Sequence, residues 1–374
     1  MGFFSSMKGV SFPLIRNDFN ASFTNMGLLT ALISYSMVSF CIVSGNFLHR
    51  FGLKKNILTG FLITSLGVGS FYFAKSFWMV ACFFIILQAG FGFLEVGTNG
   101  LGARIFTVKS GLMMNLLHFC YGLGAITGPR FMGYMVNRGT SWQRIYPLSL
   151  ILVGIMLVFS LIVRFPGRPE ARAEQGPSFW SVLKDPLVWH LGCILGLSGV
   201  VEGSSVNWSG LYFQDVFGLD PSVTTAALIS TFYLLFTVSR FISGFVIEKI
   251  GYLRSLIASC FAIIVIFTAA FSLGLRGIYL FPVIGFFVAL MWPTTLAISV
   301  VLYKERAQTV SSAIICIASV LGGIIHYGIG LSNRFLGAAW GFRSVLLYSA
   351  ILALLLFLLK KQMRLRKSTT PPHE

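Results

Sequence analysis

The chain has 374 residues, of which 56% are hydrophobic and only 10% are charged, and its mean hydropathy is +0.83. A soluble domain needs a larger charged surface, so this composition argues against one and indicates that lipid surrounds most of the protein. The formal net charge of +17 comes from short basic clusters between apolar segments. That distribution reports membrane topology and predicts no nucleic-acid partner.

Signals for catalysis or metal binding are missing from the sequence. The six cysteines lie apart from one another inside apolar segments, which favours neither a disulfide framework nor a metal site. We find no Ser-His-Asp order, no metal-ligand spacing and no phosphate-binding loop. The sequence therefore predicts no enzyme, no catalytic residue, no bound metal and no cofactor.

Apolar segments long enough to cross a bilayer as helices follow one another along the chain. A spanning helix needs about 20 residues, because only a helix satisfies its own backbone hydrogen bonds inside hydrocarbon. Eleven segments meet this requirement: 26–47, 56–74, 77–103, 111–136, 143–164, 187–213, 223–247, 253–274, 277–303, 308–334 and 338–360. The sequence predicts an all-α polytopic membrane protein.

Residues 1–15 form a shorter apolar segment, which we number as the first span. As a helix it would rise roughly 22 Å, less than the roughly 30 Å hydrocarbon core. We expect the chain to begin inside this span, so that helix 1 is truncated at its N-terminus.

Basic residues predict the orientation in the membrane, because cytoplasmic loops are enriched in Lys and Arg. One side has Arg50, Lys54, Lys55, Arg104, Lys109, Arg164, Arg168, Arg172, Lys184, Lys249, Arg254, Lys304, Arg306, Lys360, Lys361, Arg364, Arg366 and Lys367. The other side has only Arg16, Lys75, Arg138, Arg144, Arg276, Arg334 and Arg343. We predict that the first side and both termini face the cytoplasm, in the inner (plasma) membrane.

The longest polar segment divides the spans into two groups of six. We expect an N-terminal bundle at 1–164, a cytoplasmic linker at 165–186, a C-terminal bundle at 187–360 and a basic cytoplasmic tail at 361–374. An internal repeat supports the division, because a Gly-rich and basic loop recurs 199 positions later. The first copy has Gly45, Arg50, Gly52, Lys54 and Lys55, and the second has Gly244, Glu248, Lys249, Gly251 and Arg254. Parallel repeats of this kind are typical of transporters that bind substrate between two bundles.

These loops resemble the signature loop of the major facilitator superfamily. The second copy matches the family pattern well, whereas the first has His49 where the family has an acid. The resemblance implies two six-helix bundles related by pseudo-symmetry and a gating role for the ten loop residues. The histidine puts the usual charge relay of the first loop in doubt.

Further segments are similar to the fucose-proton symporter-like sugar permease branch of that superfamily. They are residues 95–99, 115–129, 202–208 and 292–294. This resemblance implies a proton-coupled sugar permease with a coupling glutamate in span 4, which here is Glu95. The acid that the branch has in span 1 is not found in this sequence.

Polar residues inside the spans are candidates for the transport site, because they are costly in lipid unless they face a wet cavity or a partner. Glu95 and Asn99 are four residues apart and share one helix face, which suits a carboxylate that takes a proton beside an amide that binds hydroxyls. In span 5, Asn115 is a further candidate for substrate binding and shares a helix face with His118. His118 is a further candidate for proton coupling, with a plain interhelical hydrogen bond as the alternative.

The second group of candidates lies in spans 7 and 10. Glu202 is a third candidate for proton coupling, and Asn207 and Trp208 follow it with an amide and an aromatic face. Trp292 and Thr294 flank the helix-breaking Pro293 and offer similar chemistry. Sugars bind to such groups, although Trp is also a common packing residue.

The sequence predicts a monomeric secondary active transporter in the lipid bilayer that takes up a sugar or similar small polar solute with protons. A drug or metabolite exporter, working as a proton antiporter, is the first alternative. It is favoured by the 37 phenylalanines, by Gly128 before Pro129, and by the uncertain acid of span 1. A sensor or degenerate paralogue that does not transport is the second, favoured by the short start and by His49.

Overall fold

A computed structural model describes residues 1–106, 110–166 and 179–369, and their side chains except those of residues 103, 110–116, 118, 305 and 364–369. In the described ranges every regular element is a helix. The long helices are α1 (Gly2–Asp18), α2 (Phe23–Phe51), α3 (Leu53–Ser70), α4 (Phe77–Ile105), α5 (Ser110–Asn137), α6 (Trp142–Ile162), α7 (Pro186–Phe217), α8 (Pro221–Ile250), α9 (Tyr252–Ser272), α10 (Gly274–Tyr303), α11 (Ala307–Arg343) and α12 (Val345–Thr369).

Ten of these helices, α2 to α4 and α6 to α12, are long and apolar enough to cross a membrane over the described residues. The helix α5 is a continuous 28-residue helix at the position of the predicted span 111–136. The prediction of an all-helical polytopic membrane protein is therefore confirmed. A single turn, Phe179–Val182, precedes α7, while 167–178 of the predicted linker and 370–374 of the predicted tail lie outside the described residues.

Helix boundaries differ from the prediction by a few residues at most ends and by more near the C-terminus. The helices α1 and α7 continue to Asp18 and Phe217, past the predicted ends at 15 and 213, because polar residues in their last turns have partners on other helices. Near the C-terminus, Gly337 (φ 80°) bends α11, and the helix then resumes as far as Arg343. The last helix therefore begins at Val345 rather than at 338, where the sequence predicted it.

Helices of the first six pack against helices of the last six. The helix α2 lies along α11, α5 lies along α8, and α1 contacts α7. The crossing of α2 and α11 is close because Gly27 faces Gly330, where an added Cβ would lie 3.0 Å from the Gly330 Cα. Small residues permit such approaches between membrane helices.

Many of the phenylalanines fill the contacts between helices. Phe71 stacks on Tyr146 with ring centroids 4.3 Å apart, and Phe281 stacks on Phe342 at 5.7 Å. All four rings are buried and belong to the hydrophobic core. Aromatic packing of this kind accounts for part of the phenylalanine content on structural grounds.

The two ends of the interface between the halves differ. At the predicted outer end, Arg16 Nη1 donates to both carboxylate oxygens of Asp215 at 2.8 and 3.0 Å, and the Ser222 hydroxyl donates to Asn137 Oδ1 at 2.7 Å. At the predicted cytoplasmic end, α8 is exposed on most faces from residue 241 to 250, including 68% of Phe245. The halves are thus joined at one end of the molecule and less covered at the other.

Candidate transport site

The polar pair of α4 forms as the sequence predicts. Asn99 Nδ2 donates to Glu95 Oε1 at 2.9 Å, one helical turn apart, and both side chains are partly exposed. The amide holds the carboxylate in one orientation through one of its two oxygens. An accessible carboxylate beside an amide can accept a proton and can bind hydroxyl groups.

A local irregularity in α7 creates the second group of candidates. Residues Ser204–Trp208 form one π-helical turn between two α-helical segments, one residue after Glu202. Such turns are rare and occur frequently at functional sites. In this turn Asn207 is 8% exposed and its Oδ1 has no hydrogen-bond partner among the described residues.

Trp208 does not have the open position expected of a ring that stacks on substrate. Its side chain is 2% exposed, and its indole N–H donates to His326 Nδ1 on α11 at 3.2 Å. The substrate contact predicted for Trp208 thus has no exposed ring face to support it. His326 has a structural connection to α7 that sequence reasoning did not assign.

Two cations lie around Glu202. Lys8 on α1 and Arg240 on α8 both interact electrostatically with this carboxylate. The Arg240 guanidinium also lies 4.4 Å from the centroid of the Phe236 ring. The structure thus brings Lys8 to Glu202. Arg130, a third cation within the helices, is exposed on α5.

The candidates on α10 face α7. The partly buried Trp292 ring lies near Gly199, with Cζ3 3.9 Å from the position of an added Cβ. Thr294 is 2% exposed, and its hydroxyl has no hydrogen-bond partner in the part of the chain that the structure describes. Trp292 is therefore the more accessible aromatic ring of the two predicted tryptophans.

Two further candidates cannot be placed to the same depth. Asn115 and His118 lie on α5, and their side chains are outside the described residues. Their predicted roles in substrate binding and proton coupling stay predictions.

Tyrosines that the sequence reasoning passed over lie near the same charges. Tyr121 on α5 and Tyr233 on α8 both interact electrostatically with Glu202 and Arg240. The sequence signal for Tyr121 and Tyr233 is the presence of a tyrosine within an apolar segment. That signal is weak, because tyrosines also concentrate at membrane interfaces.

The two repeated loops have the same backbone geometry. Gly52 (φ 84°) separates α2 from α3 and Gly251 (φ 92°) separates α8 from α9, and each glycine N–H donates to the carbonyl four residues earlier. The positive φ explains why glycine is needed at both positions. Lys54 Nζ donates to the Leu161 carbonyl at 2.9 Å, which ties the first loop to α6.

The remaining loop candidates lie on the same surface. Arg50, Lys55, Glu248, Lys249 and Arg254 are exposed, as is Gly244, while Gly45 is partly exposed. Their exposure is compatible with the gating role that the resemblance implies, and the role itself stays a prediction.

The helical architecture and the polar groups between the halves define a polytopic membrane transporter. Residues 1–327 match the family described as Major Facilitator Superfamily, so the chain belongs to that superfamily. Its members are transporters rather than enzymes, and the predicted family and fold class are confirmed.

Sugar transporters are among the relatives. The chain is 21% identical over 334 residues to a glucose/mannose transporter of Bacillus subtilis, covering 86% of this chain and 82% of that protein. It is 23% identical over 350 residues to a glucose/galactose transporter of Brucella abortus, covering 87% and 82%.

Solved structures share the fold. A bacterial homologue of the human lysosomal transporter Spinster, inward-facing and unoccupied, matches with a TM-score of 0.77 at 15% identity, covering 96% of this chain and 93% of that one. A single-residue variant of the E. coli fucose:proton symporter matches with a TM-score of 0.64 at 17% identity, covering 96% of both chains.

Proposed function

We propose that this protein is a proton-coupled symporter that takes up a sugar or similar small polar solute by alternating access. The observation that supports this most is the Glu95–Asn99 pair, an accessible carboxylate held by an amide within a predicted membrane span. Carboxylates at membrane depth are costly and are typical of proton relays. The names of the relatives favour sugars as the substrate class.

Glu95 is a better coupling acid than Glu202, the other acid predicted to couple transport to protons. Glu202 has two side-chain cations around it, Lys8 and Arg240, which compensate its negative charge. Glu95 is hydrogen-bonded to a neutral amide and also interacts electrostatically with the amino group of Met1. Protonation of Glu95 therefore leaves the positive charges of Lys8 and Arg240 compensated by Glu202. This suits a coupling group, which must cycle between a protonated and a deprotonated form.

Alternating access would use the two halves as rocking units. We take 1–164 and 187–360 as the two bundles, 165–186 as the linker and 361–374 as the tail. The contacts of Arg16 with Asp215 and of Ser222 with Asn137 support a state closed at the outer end. One chain contains both bundles, so a monomer suffices.

The orientation follows from the distribution of basic residues. With Gly52 and Gly251 on the basic side, that side and both termini face the cytoplasm of the inner membrane. Uptake then carries solute from the side of Arg16 to the side of these glycines.

Purified protein in liposomes tests the proposal. Accumulation of labelled glucose, galactose, mannose and fucose is measured with and without an inward proton gradient (acid outside). We expect at least one sugar to accumulate above its external concentration only with the gradient. Equilibration without accumulation would contradict proton coupling, and no uptake of any sugar would contradict the substrate class.

A further inference from the structure

A cavity of about 300 Å³ opens at one end of the second half of the chain, between the loop that joins α8 to α9, the last turns of α10 and the end of α12. Leu302 is one residue from the end of α10, and Met363 is the last residue of the apolar segment of α12 that can cross a membrane. This α10–α12 cavity therefore lies where the membrane meets water, on the side that we propose to be cytoplasmic.

The cavity is a gap in the packing of α12. Leu352, Leu356 and Leu359 are fully buried and follow one another at helical spacing, so they form the inner face of this helix. Met363 is four residues further on, at the next position of the same face, and it borders the empty space. The packing that covers the three leucines thus ends before the helix does.

The walls of the cavity are apolar, with one charged side chain among the nine described residues that line it. Val301, Leu302 and Met363 provide hydrocarbon, and the charged residue is Arg254. Arg254 is exposed and has no hydrogen bond or ion pair within the part of the chain that the structure describes. An apolar space beside an available guanidinium matches a molecule with a hydrocarbon chain and an anionic group.

The equivalent place in the first half is closed by a lysine. Lys54 Nζ donates to the Leu161 carbonyl at 2.9 Å and lies 5.9 Å from the centroid of the Phe165 ring, so it connects the loop to the end of α6. The residue 199 positions later is Leu253, which has no polar group for such a bond and lines the cavity. The second half therefore has an open space where the first half has a tie between loop and helix.

Positive charge is in excess around the cavity. Lys249 precedes a lining residue and Lys361 is two positions before Met363, and both lysines are exposed, as is Glu248 on the same loop. Anionic lipids of the cytoplasmic leaflet attract basic residues at this level, and a guanidinium pairs with phosphate through two parallel hydrogen bonds. Charge complementarity thus favours an anionic lipid over a zwitterionic one.

We propose that the α10–α12 cavity binds one anionic phospholipid of the cytoplasmic leaflet. Its phosphate pairs with Arg254, and part of one acyl chain enters between Val301 and Met363. The lipid then links the second loop to α12, as Lys54 links the first loop to α6. This inference rests on the proposed orientation and is independent of the solute that the protein carries.

Native mass spectrometry of the purified full chain in detergent tests the choice of headgroup. Phosphatidylglycerol and phosphatidylcholine with the same acyl chains are titrated, and we expect phosphatidylglycerol to bind more tightly. Arg254→Gln should weaken phosphatidylglycerol about fivefold, the contribution of one basic residue near an anionic headgroup. Lys55→Gln is the matched control, because Lys55 is the exposed cation 199 positions earlier, and its affinity should stay within about twofold of the wild type.

Val301→Trp tests the apolar part of the site, because the indole fills the space and leaves Arg254 in place. We expect phosphatidylglycerol to bind about tenfold more weakly, the loss for roughly two methylene groups that no longer enter an apolar space. In the wild type, phosphatidylglycerol with a photoreactive group in one acyl chain should label residues 250–254, 298–302 and 363. Excess unmodified phosphatidylglycerol should suppress this labelling.

Three outcomes would overturn the proposal. Equal affinity for the two lipids would show that lipid or detergent fills the space without recognition of the headgroup. Equal losses in Arg254→Gln and Lys55→Gln would show general attraction to the basic surface. Labelling of the wild type spread over the exterior would show that no chain enters the cavity, even if Val301→Trp does not fold. None of these measurements depends on transport, so they are distinguishable from a failure of the proposed function.

Discussion

Positions 199 residues apart in the two halves of the chain are alike in the loops and different between the helices. Gly52 and Gly251 have nearly the same φ and the same N–H bond to the preceding turn. Glu95 and Thr294 have the same relation, yet one is an accessible carboxylate and the other a buried hydroxyl without a partner among the described residues. The repeat thus preserves the geometry of the turns. Of the two equivalent positions between the helices, only the one in the first half has an ionisable side chain.

The largest effect on transport is expected from removing the Glu95 carboxylate in the first half. Glu95→Gln keeps the shape and the contact with Asn99 but cannot release a proton. We expect gradient-driven accumulation to fall to the external concentration, because an amide cannot take up and release a proton together with the sugar. Exchange of labelled for unlabelled sugar across the membrane should persist, because it needs no net proton movement.

Thr294→Val is the matched control at the equivalent position. It replaces the hydroxyl by a methyl of similar size, and we expect accumulation within about twofold of the wild type because no bond is lost. Equal losses in the two variants would contradict the assignment of coupling to the first half alone.

The next largest effect is expected for Glu202, whose charge is compensated by Lys8 and Arg240. Glu202→Gln leaves Lys8 and Arg240 without their carboxylate, so we expect a loss of about 2 kcal/mol in stability, below the range for fully buried pairs because Glu202 and Lys8 are partly exposed. Thermal unfolding of the detergent-solubilised protein measures it. Adding Lys8→Met to Glu202→Gln should restore part of the lost stability. A further drop in stability would contradict the compensation of the Lys8 charge by Glu202.

A smaller effect is expected for the ion pair between Arg16 and Asp215, which occupy equivalent positions in the two halves. Arg16 and Asp215 are themselves 199 residues apart and form a partly exposed ion pair at 2.8 Å. Pairs of this kind contribute about 0.2–1 kcal/mol, so Arg16→Ala should shift the population open at the outer end by up to about fivefold.

Distances between spin labels at Asn17 and Val216, in a cysteine-free background, measure that shift. Exchanging the charges, with Arg16→Asp and Asp215→Arg together, should restore the wild-type distribution. If the double variant behaves like Arg16→Ala, the ion pair has no part in closing this end.

Effects on stability alone, equal in both halves, are expected for the loop glycines. An alanine at a positive φ costs about 1 kcal/mol, so Gly52→Ala and Gly251→Ala should lower the unfolding temperature by a few degrees each. Neither change should alter the preference among sugars. A loss confined to one loop would show that the two turns differ in more than sequence.

The spans were predictable because twenty apolar residues in a row have few other uses, and hydropathy located most helix ends to within a few residues. Charged residues misled the prediction at helix ends. Arg16 and Asp18 look like the start of a loop, but Arg16 pairs with Asp215, and Asp18 accepts from the Trp142 indole at 2.6 Å, which holds the last turn of α1 helical.

The site was predictable only where its contacts are local. Glu95 and Asn99 meet because they are one turn apart, which the sequence shows directly. His326 and Trp208 are 118 residues apart in the chain, so their contact could not be predicted. The burial of Trp208 results from the same long-range packing.

The central claim is that sugar and protons move together in the same direction, and proton movement measures it directly. Liposomes containing the protein and a trapped pH dye, with the membrane potential clamped, receive the transported sugar from outside. We predict acidification of the lumen with the wild type and none with Glu95→Gln. Alkalinisation would show antiport, and an unchanged lumen during sugar entry would show uncoupled transport; either result contradicts symport.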